Sequence, residues 1–425
     1  MPDSVYTKLI LASALRRAIY LEHILYRVGS HVKNQGAQHS AARLLIESPA
    51  VKPAEGPLTR VNPRLASEVQ RLGGTKLARC YNCGTCTAIC PVTQEGQEFP
   101  RSLIRHTILG AEDKLLSSAR PWLCYYCGDC TKECPKDADP AEFMMALRRY
   151  LTSKYDWTGF SSLLYHSEMV ELIAIIVLAS ITGLLIYFLH GPMVLNRTEL
   201  ATFAPLGVVE AGDLVIFAIL ALLISTNIFR MYRFIVKSGD AKRKPISIKT
   251  YIIELVKTLP IHFFTQKKLG DCSDRRYWFY HLVFFGGYVT SFVLFMFLIR
   301  YTQTNMPFLF FNPLSIVGIA ATAALFCASG IVIYGRIKKS RPVWKYSHPT
   351  DWMFVVLLVL TVTTGIFTGV FRSIGIPLAT YLTYSIHLMV VAPFLILEVP
   401  FAKWSHLAYR PFAIYFARLR EIQNE

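Results

Sequence analysis

Six runs of about 20 apolar residues, each long enough to cross a bilayer as a helix, dominate the second half of the sequence. They cover roughly residues 168–189, 210–229, 278–300, 312–335, 352–371 and 379–400. Their Leu, Ile, Val and Phe are near-continuous and leave no polar stripe of the kind a soluble amphipathic helix carries. One such run could be a buried core helix. Six in succession, joined by links such as Gly191-Pro192 and Arg341-Pro342, predict an integral membrane bundle.

The distribution of charge gives that bundle an orientation. Among 425 residues, 45 Lys+Arg stand against 28 Asp+Glu, a formal charge of +17. Such an excess can serve nucleic acid, anionic lipid or an acidic partner. From residue 167 onward, however, 21 of 24 basic residues fall in the connections 230–276 and 336–345 and in the segment after 400. The alternate connections hold only Arg197, Arg300 and Arg372. This is the positive-inside pattern. It predicts six crossings, with both termini and the first 165 residues in the cytoplasm, and it removes the motive for a nucleic-acid role. The expected organisation is an N-terminal helix and linker over 1–61, a soluble domain over 62–160, a transmembrane domain over 161–410 and a cytoplasmic tail over 411–425. Residues 4–27 show no small-residue cleavage site and read as an amphipathic helix on a partner or the membrane surface. Residues 246–264 are also amphipathic and are expected at the inner interface.

Eight of the ten cysteines lie within 55 residues. They form two matched quartets, Cys80-Tyr-Asn-Cys83-Gly-Thr-Cys86-Thr-Ala-Ile-Cys90-Pro91 and Cys124-Tyr-Tyr-Cys127-Gly-Asp-Cys130-Thr-Lys-Glu-Cys134-Pro135. This C-x2-C-x2-C-x3-C-P run ligates [4Fe–4S] clusters, and in two-cluster ferredoxins its fourth cysteine serves the other cluster. One cluster is then expected on Cys80, Cys83, Cys86 and Cys134, the other on Cys124, Cys127, Cys130 and Cys90. Structural zinc uses two pairs rather than two quartets, and disulfides do not suit a cytoplasmic segment. Cys272 and Cys327 stand alone.

Histidine at membrane depth is a functional candidate by default. His281 begins the third apolar run and His406 follows the sixth, so the two should share a depth near the cytoplasmic face. They are expected as the axial pair of a b-type haem, since imidazole is an axial haem ligand and bundles build cofactor sites from facing helices. His387 lies 19 residues before His406, about 28 Å along a continuous helix and about 100° around it, unless Pro393 or Pro400 kinks the path. It is a candidate for a second haem without an evident partner, His190 being the weak one. His166, His262 and His348 read as surface residues. Glu398, Glu210 and Asp213 could move protons, but read more simply as paired interfacial carboxylates.

The quartets, with Pro100-Arg-Ser-Leu-Ile-Arg105 and Trp122-Leu-Cys124, resemble the C subunit of heterodisulfide reductase. His281, Asp351-Trp352, His387 and Pro400-Phe401 with His406 resemble that enzyme's E subunit and the gamma subunit of respiratory nitrate reductase. A fusion of the two is similar to the C subunit of the quinone-interacting membrane-bound oxidoreductases. The resemblance implies a mainly α fold, a cytoplasmic two-[4Fe–4S] ferredoxin domain followed by a six-helix cytochrome b-type bundle in a prokaryotic cytoplasmic membrane. It implies two [4Fe–4S] clusters, one or two b haems and a quinone, menaquinone in the first instance. It further implies flavin and iron–sulfur partner subunits, the A and B subunits of that oxidoreductase, with adenylylsulfate reductase as soluble redox partner. In the nitrate-reductase pattern a second histidine follows ten residues after the position of His281; here it is Ser291. The competing readings are a membrane iron–sulfur assembly or regulatory protein without quinone turnover, a subunit serving another soluble reductase, and a transporter with a ferredoxin appendage.

Overall fold

The computed structural model describes residues 60–93, 98–237, 244–266, 269–270, 275–306 and 312–424. The amphipathic stretch 4–27 and Cys272 lie outside these residues. Every regular element among them is helical. The soluble part contains α1 (Leu65–Arg71), α2 (Thr85–Ala88), α3 (Arg101–Ile108), α4 (Asp129–Lys132) and α5 (Pro140–Tyr155). Asp139 caps α5 by accepting from the Glu142 N–H, and Pro140 follows at the first helical position, where its missing N–H costs nothing. Phe143, Met144, Leu147, Tyr150 and Leu151 are all buried, so α5 is a central core helix.

The six apolar runs form α6 (Glu168–Leu189), α7 (Leu206–Tyr232), α9 (Arg275–Phe297), α10 (Pro313–Lys338), α11 (Pro349–Ile374) and α12 (Pro377–Pro393), with α8 (Ile248–Pro260) between the second and third. All six, the last taken on through the following turns as Pro377–Phe401, are long and apolar enough to cross a membrane. Their starts follow local chemistry. Ser167 and Asn312 cap α6 and α10, and proline opens α10, α11 and α12. The amphipathic α8 leaves Ile248, Ile252 and Val256 exposed, four residues apart on one face. Its Tyr251 packs inward, where its carbonyl accepts from the Tyr415 hydroxyl at 3.1 Å.

The chain does not run from His387 to His406 as one helix. Neither Pro393 nor Pro400 can donate to the carbonyl four residues back. The helix widens into a π turn over Phe394–Glu398, resumes briefly over Val399–Phe401 and breaks at Ala402. A new helix, α13 (His406–Asn424), starts at His406 itself. The segment after 410, read from sequence as a tail, lies in this helix.

One buried core runs through both parts of the molecule. Leu65, Leu103, Trp122, Leu147 and Tyr155 of the soluble part pack with Met231, Ile235 and Val236 beyond the second span and with Tyr409, Ala413, Phe416 and Leu419 of α13. Beside it lies a buried ionic junction. The Arg149 guanidinium donates to Glu142 Oε1 at 2.9 Å, to Asp351 Oδ2 at 2.8 Å and to the Leu72 carbonyl at 2.7 Å. Lys403 Nζ meets the other Asp351 oxygen at 2.7 Å, and Arg336 binds the Asp351 carbonyl. Removing one member of such a set strands the others and costs about 3–5 kcal/mol. Asp351→Ala should therefore destabilise the detergent-solubilised protein by that amount in thermal unfolding, and more than Arg149→Lys.

His348, expected at the surface, is 5% exposed and caps α11, its Nδ1 accepting from the Thr350 N–H. Burial, then the nearby Arg149, pushes its pKa down to about 4 from 6.5. The unfolded chain binds this proton more readily, so the group withdraws stability as pH falls from about 6.5 to about 4. His348→Asn, which keeps a capping oxygen, should flatten the unfolding-temperature profile across that window.

Candidate functional site

The two cysteine quartets fold into the same local shape 44 residues apart. Asn82 and Tyr126 take positive φ of 64° and 58°, and Gly84 and Gly128 take 90° and 91°. Each glycine then opens a short helix that carries the third cysteine, α2 for Cys86 and α4 for Cys130. Left-handed backbone on both sides of Cys83 and of Cys127 curls each loop round a hollow. A tyrosine at positive φ is costly and persists only where its surroundings hold it. The Tyr126 hydroxyl lies 2.7 Å from Glu142 Oε2 and 2.9 Å from the Val343 carbonyl.

Cys80, Cys83, Cys86 and Cys134 line one cavity. Cys90, Cys124, Cys127 and Cys130 line a second. Each cavity thus gathers three cysteines of one quartet and the fourth of the other. The sulfurs ring a space and do not converge on a point: among the described residues no three His, Cys, Asp or Glu side chains could hold a single metal ion. Backbone N–H groups aim at sulfur, Tyr126 at Cys124 Sγ (3.4 Å) and Ala138 at Cys134 Sγ (3.3 Å). Burial pushes the Cys86 thiol up to about 11 and raises Cys90 and Cys130, with neighbouring sulfurs adding to each. The exposed Cys83 is pulled down by its hydrogen bond to Thr85. Thiols packed so closely resist ionisation unless a cationic core offsets them, so the donor set fits an iron–sulfur core.

Two imidazoles of the membrane part also lie close together. The rings of His281, on α9, and His406, at the start of α13, lie with centroids 6.4 Å apart and planes inclined at 68°. Two metal–nitrogen bonds of about 2 Å plus the two ring half-widths add to about 6 Å. His406 Nδ1 is 2.6 Å from the Lys403 carbonyl, which can only accept, so Nδ1 carries the proton and Nε2 keeps its lone pair. His281 Nδ1 is 2.6 Å from Gln266 Oε1, giving the same tautomer. Outward hydrogen bonds of this kind orient metal-binding histidines. These residues fit an axial pair for haem iron.

His387 is placed differently. Its Nδ1 is 2.9 Å from Thr364 Oγ1 across the α11–α12 contact, and Gly365 leaves room for the ring. His190 bonds the Gly191 carbonyl and stacks on Phe203, which in turn stacks on Tyr381. Tyr381 lies six residues, about 9 Å of helix, from His387. Glu210 pairs with Arg300, as an interfacial carboxylate would. Glu398 is buried, 3.3 Å from the Lys403 N–H.

The cysteine cavities and the imidazoles are neighbours. Tyr125, between two cysteines of the second quartet, packs in an apolar cluster with Leu269, Tyr277 and Trp278. The Tyr277 ring lies 6.3 Å from that of His281. Arg410, one turn beyond His406, reaches the Trp122 and Cys124 carbonyls. Sequence reasoning missed Gln266, Arg148 and Arg410. Only Arg410 carried a local signal, its four-residue offset from His406 on a helix.

Comparison with known proteins bears on the soluble part. Residues 76–138 match the model of the 4Fe-4S dicluster domain. A protein of Archaeoglobus profundus described as like the C subunit of heterodisulfide reductase is 39% identical over 103 residues, 24% of this chain and 55% of that protein. The C subunit of the H(2):CoB-CoM heterodisulfide,ferredoxin reductase of Methanothermobacter thermautotrophicus is 30% identical over 63 residues, 15% of this chain and 34% of that one. Its counterpart in Methanothermobacter marburgensis matches to the same extent. Residues 76–138 form a 4Fe–4S dicluster domain similar to the heterodisulfide reductase C subunit. The chain spans about half the length of the first relative and a third of the other two. No solved structure matches it.

The exchange of fourth cysteines is open to a direct test. Cys134→Ser should abolish the same cluster signal in electron paramagnetic resonance as Cys80→Ser, and Cys90→Ser the same signal as Cys124→Ser. Loss patterns that follow the sequence quartets would reject the exchange.

Proposed function

We propose that this chain is a membrane electron-transfer subunit, passing electrons between the quinone pool and cytosolic flavin and iron–sulfur partners. Cys80, Cys83, Cys86 and Cys134 hold one [4Fe–4S] cluster, and Cys90, Cys124, Cys127 and Cys130 the other. His281 and His406 hold a b haem. Bound there, these groups supply one-electron steps, while the protein supplies position, burial and hydrogen bonds. The observation that carries this reading is the adjacent pair of imidazoles one tyrosine contact from the second cysteine cavity.

The same contact supports an order along the chain of sites. The second cavity adjoins α9 and α13, whereas the first opens outward beside the exposed Cys83 and Tyr81. The first is the side that partner subunits would meet. Orientation follows from charge: the soluble part packs on the basic connection 336–345 and on α13, the faces that the positive-inside rule assigns to the cytoplasm. By resemblance, the partners are the flavin-bearing A and B subunits of a quinone-interacting oxidoreductase, menaquinone is the membrane substrate, and adenylylsulfate reductase is the soluble enzyme served. One haem is favoured, because His387 faces Thr364 and Gly365 on the neighbouring span.

Dithionite-reduced spectra with haem quantitation test this reading. The purified protein should show b-type bands, lost in His406→Ala and in His281→Ala and retained in full in His387→Ala. Absence of b haem from the wild type would reject the function, and halved haem in His387→Ala would make that residue a second ligand.

A further inference from the structure

Two guanidinium groups meet on a single carbonyl oxygen, that of Cys124. Arg148, on α5, donates from Nε to the Pro121 carbonyl at 2.8 Å and from Nη2 to Cys124. Arg410, on α13, donates from Nε to the Trp122 carbonyl at 3.0 Å and from Nη2 to Cys124. Its guanidinium also lies 4.2 Å from the centre of the Tyr125 ring. Arg148 is 7% exposed. Neither arginine forms an ion pair with a described carboxylate, whereas Arg149, the next residue, has both Glu142 and Asp351. Like charges converging at a buried site repel, and buried charge is retained where an anion offsets it.

The second cysteine cavity is the neighbour able to supply that anion. A cubane with four thiolate ligands is a net anion and gains a further negative charge on reduction. The first cavity has no matching arrangement. Its nearest guanidinium, Arg101, lies against Gly84 and is already paired with Glu98 at 2.6 Å. Lys76 and Arg79 both meet Asp137 at the surface. The two cavities therefore share a backbone shape and differ in where positive charge sits: at the first, Lys136 lies at the exposed rim over the Tyr81 ring, whereas at the second two guanidiniums converge on a cysteine carbonyl within the fold.

We infer that Arg148 and Arg410 are the counter-charge of the second cavity, and that they hold the reduction potential of its cluster above that of the first. The inference deepens the function proposed above and rests on its ligand sets. Both arginines are positioning residues. They act through the Cys124 carbonyl and through space, stabilising the added electron, and Arg410 fixes the distance between that cavity and the helix carrying His406.

Redox titration of the intact purified chain, followed by electron paramagnetic resonance, tests this. Arg410→Gln and Arg148→Gln should each lower the midpoint potential of one cluster by about tenfold in its reduction equilibrium, about 59 mV for one electron. The signal that moves should be the one abolished by Cys124→Ser, and the other cluster should keep its potential. Arg420→Gln also loses a guanidinium from α13, one bound to the Ser117 carbonyl, and should move neither. Should Arg410→Gln fail to assemble, Arg410→Lys keeps the charge and loses the fork, and should shift the same signal in the same direction by less. Unchanged potentials in the assembled arginine variants, or equal shifts in both clusters, would overturn the inference. A wild-type protein without two reducible clusters would instead overturn the function on which it rests.

Discussion

The bond between Arg149 and Asp351 joins residues 202 positions apart in sequence and ties the soluble part to the membrane bundle. Both side chains are buried, so the charges hold each other or strand each other. Lys403 completes the set from the link leading into α13, and Arg336 approaches from the end of α10. Two further stretches of the membrane part thus converge on Asp351, the residue of α11 that meets α5. Rigidity at this junction matters because the cysteine cavities belong to one of the parts it joins and the imidazoles to the other. A loose hinge there would let the Tyr125–Tyr277 contact open, and with it the shortest route between the two.

Glu142 links that junction to the cysteine loops. One of its oxygens meets Arg149 and the other meets the Tyr126 hydroxyl. Tyr126 is the residue whose strained backbone shapes the second loop. The ionic junction therefore does more than fasten two parts: through a single carboxylate it braces an unfavourable turn whose curl sets where Cys124 and Cys127 stand. The first loop has the same turn with Asn82, a residue that adopts positive φ more readily, and its anchoring is correspondingly lighter.

Much of this was legible in the sequence. Hydrocarbon admits so few backbone solutions that six apolar runs read directly as six helices. The cysteine spacing identified the dicluster domain because thiolate geometry permits little variation. His281 and His406 were expected at one depth, and their ring centroids lie 6.4 Å apart. What escaped was non-local or bent. Pro393 and Pro400 marked where the path from His387 to His406 could bend, but not that it would widen into a π turn and break at Ala402. His348 looked like an ordinary interfacial residue because nothing local marks a histidine as a helix cap. Gln266 and Arg148 are ordinary polar residues in sequence, and only the packing of distant segments gives them partners.

The helix starting at His406 fills part of the wall of the soluble core with Tyr409, Phe416 and Leu419. Ribosomes make the chain from the other end, and domains generally fold as they emerge. Here the dicluster domain is synthesised before any span, yet its core stays open until all six have been threaded and the segment beyond them returns. Insertion into the membrane thus becomes a condition for closing the soluble domain. A chain stalled in the membrane would display an unfinished hydrophobic face to chaperones and proteases. The domain made first is the last to be completed.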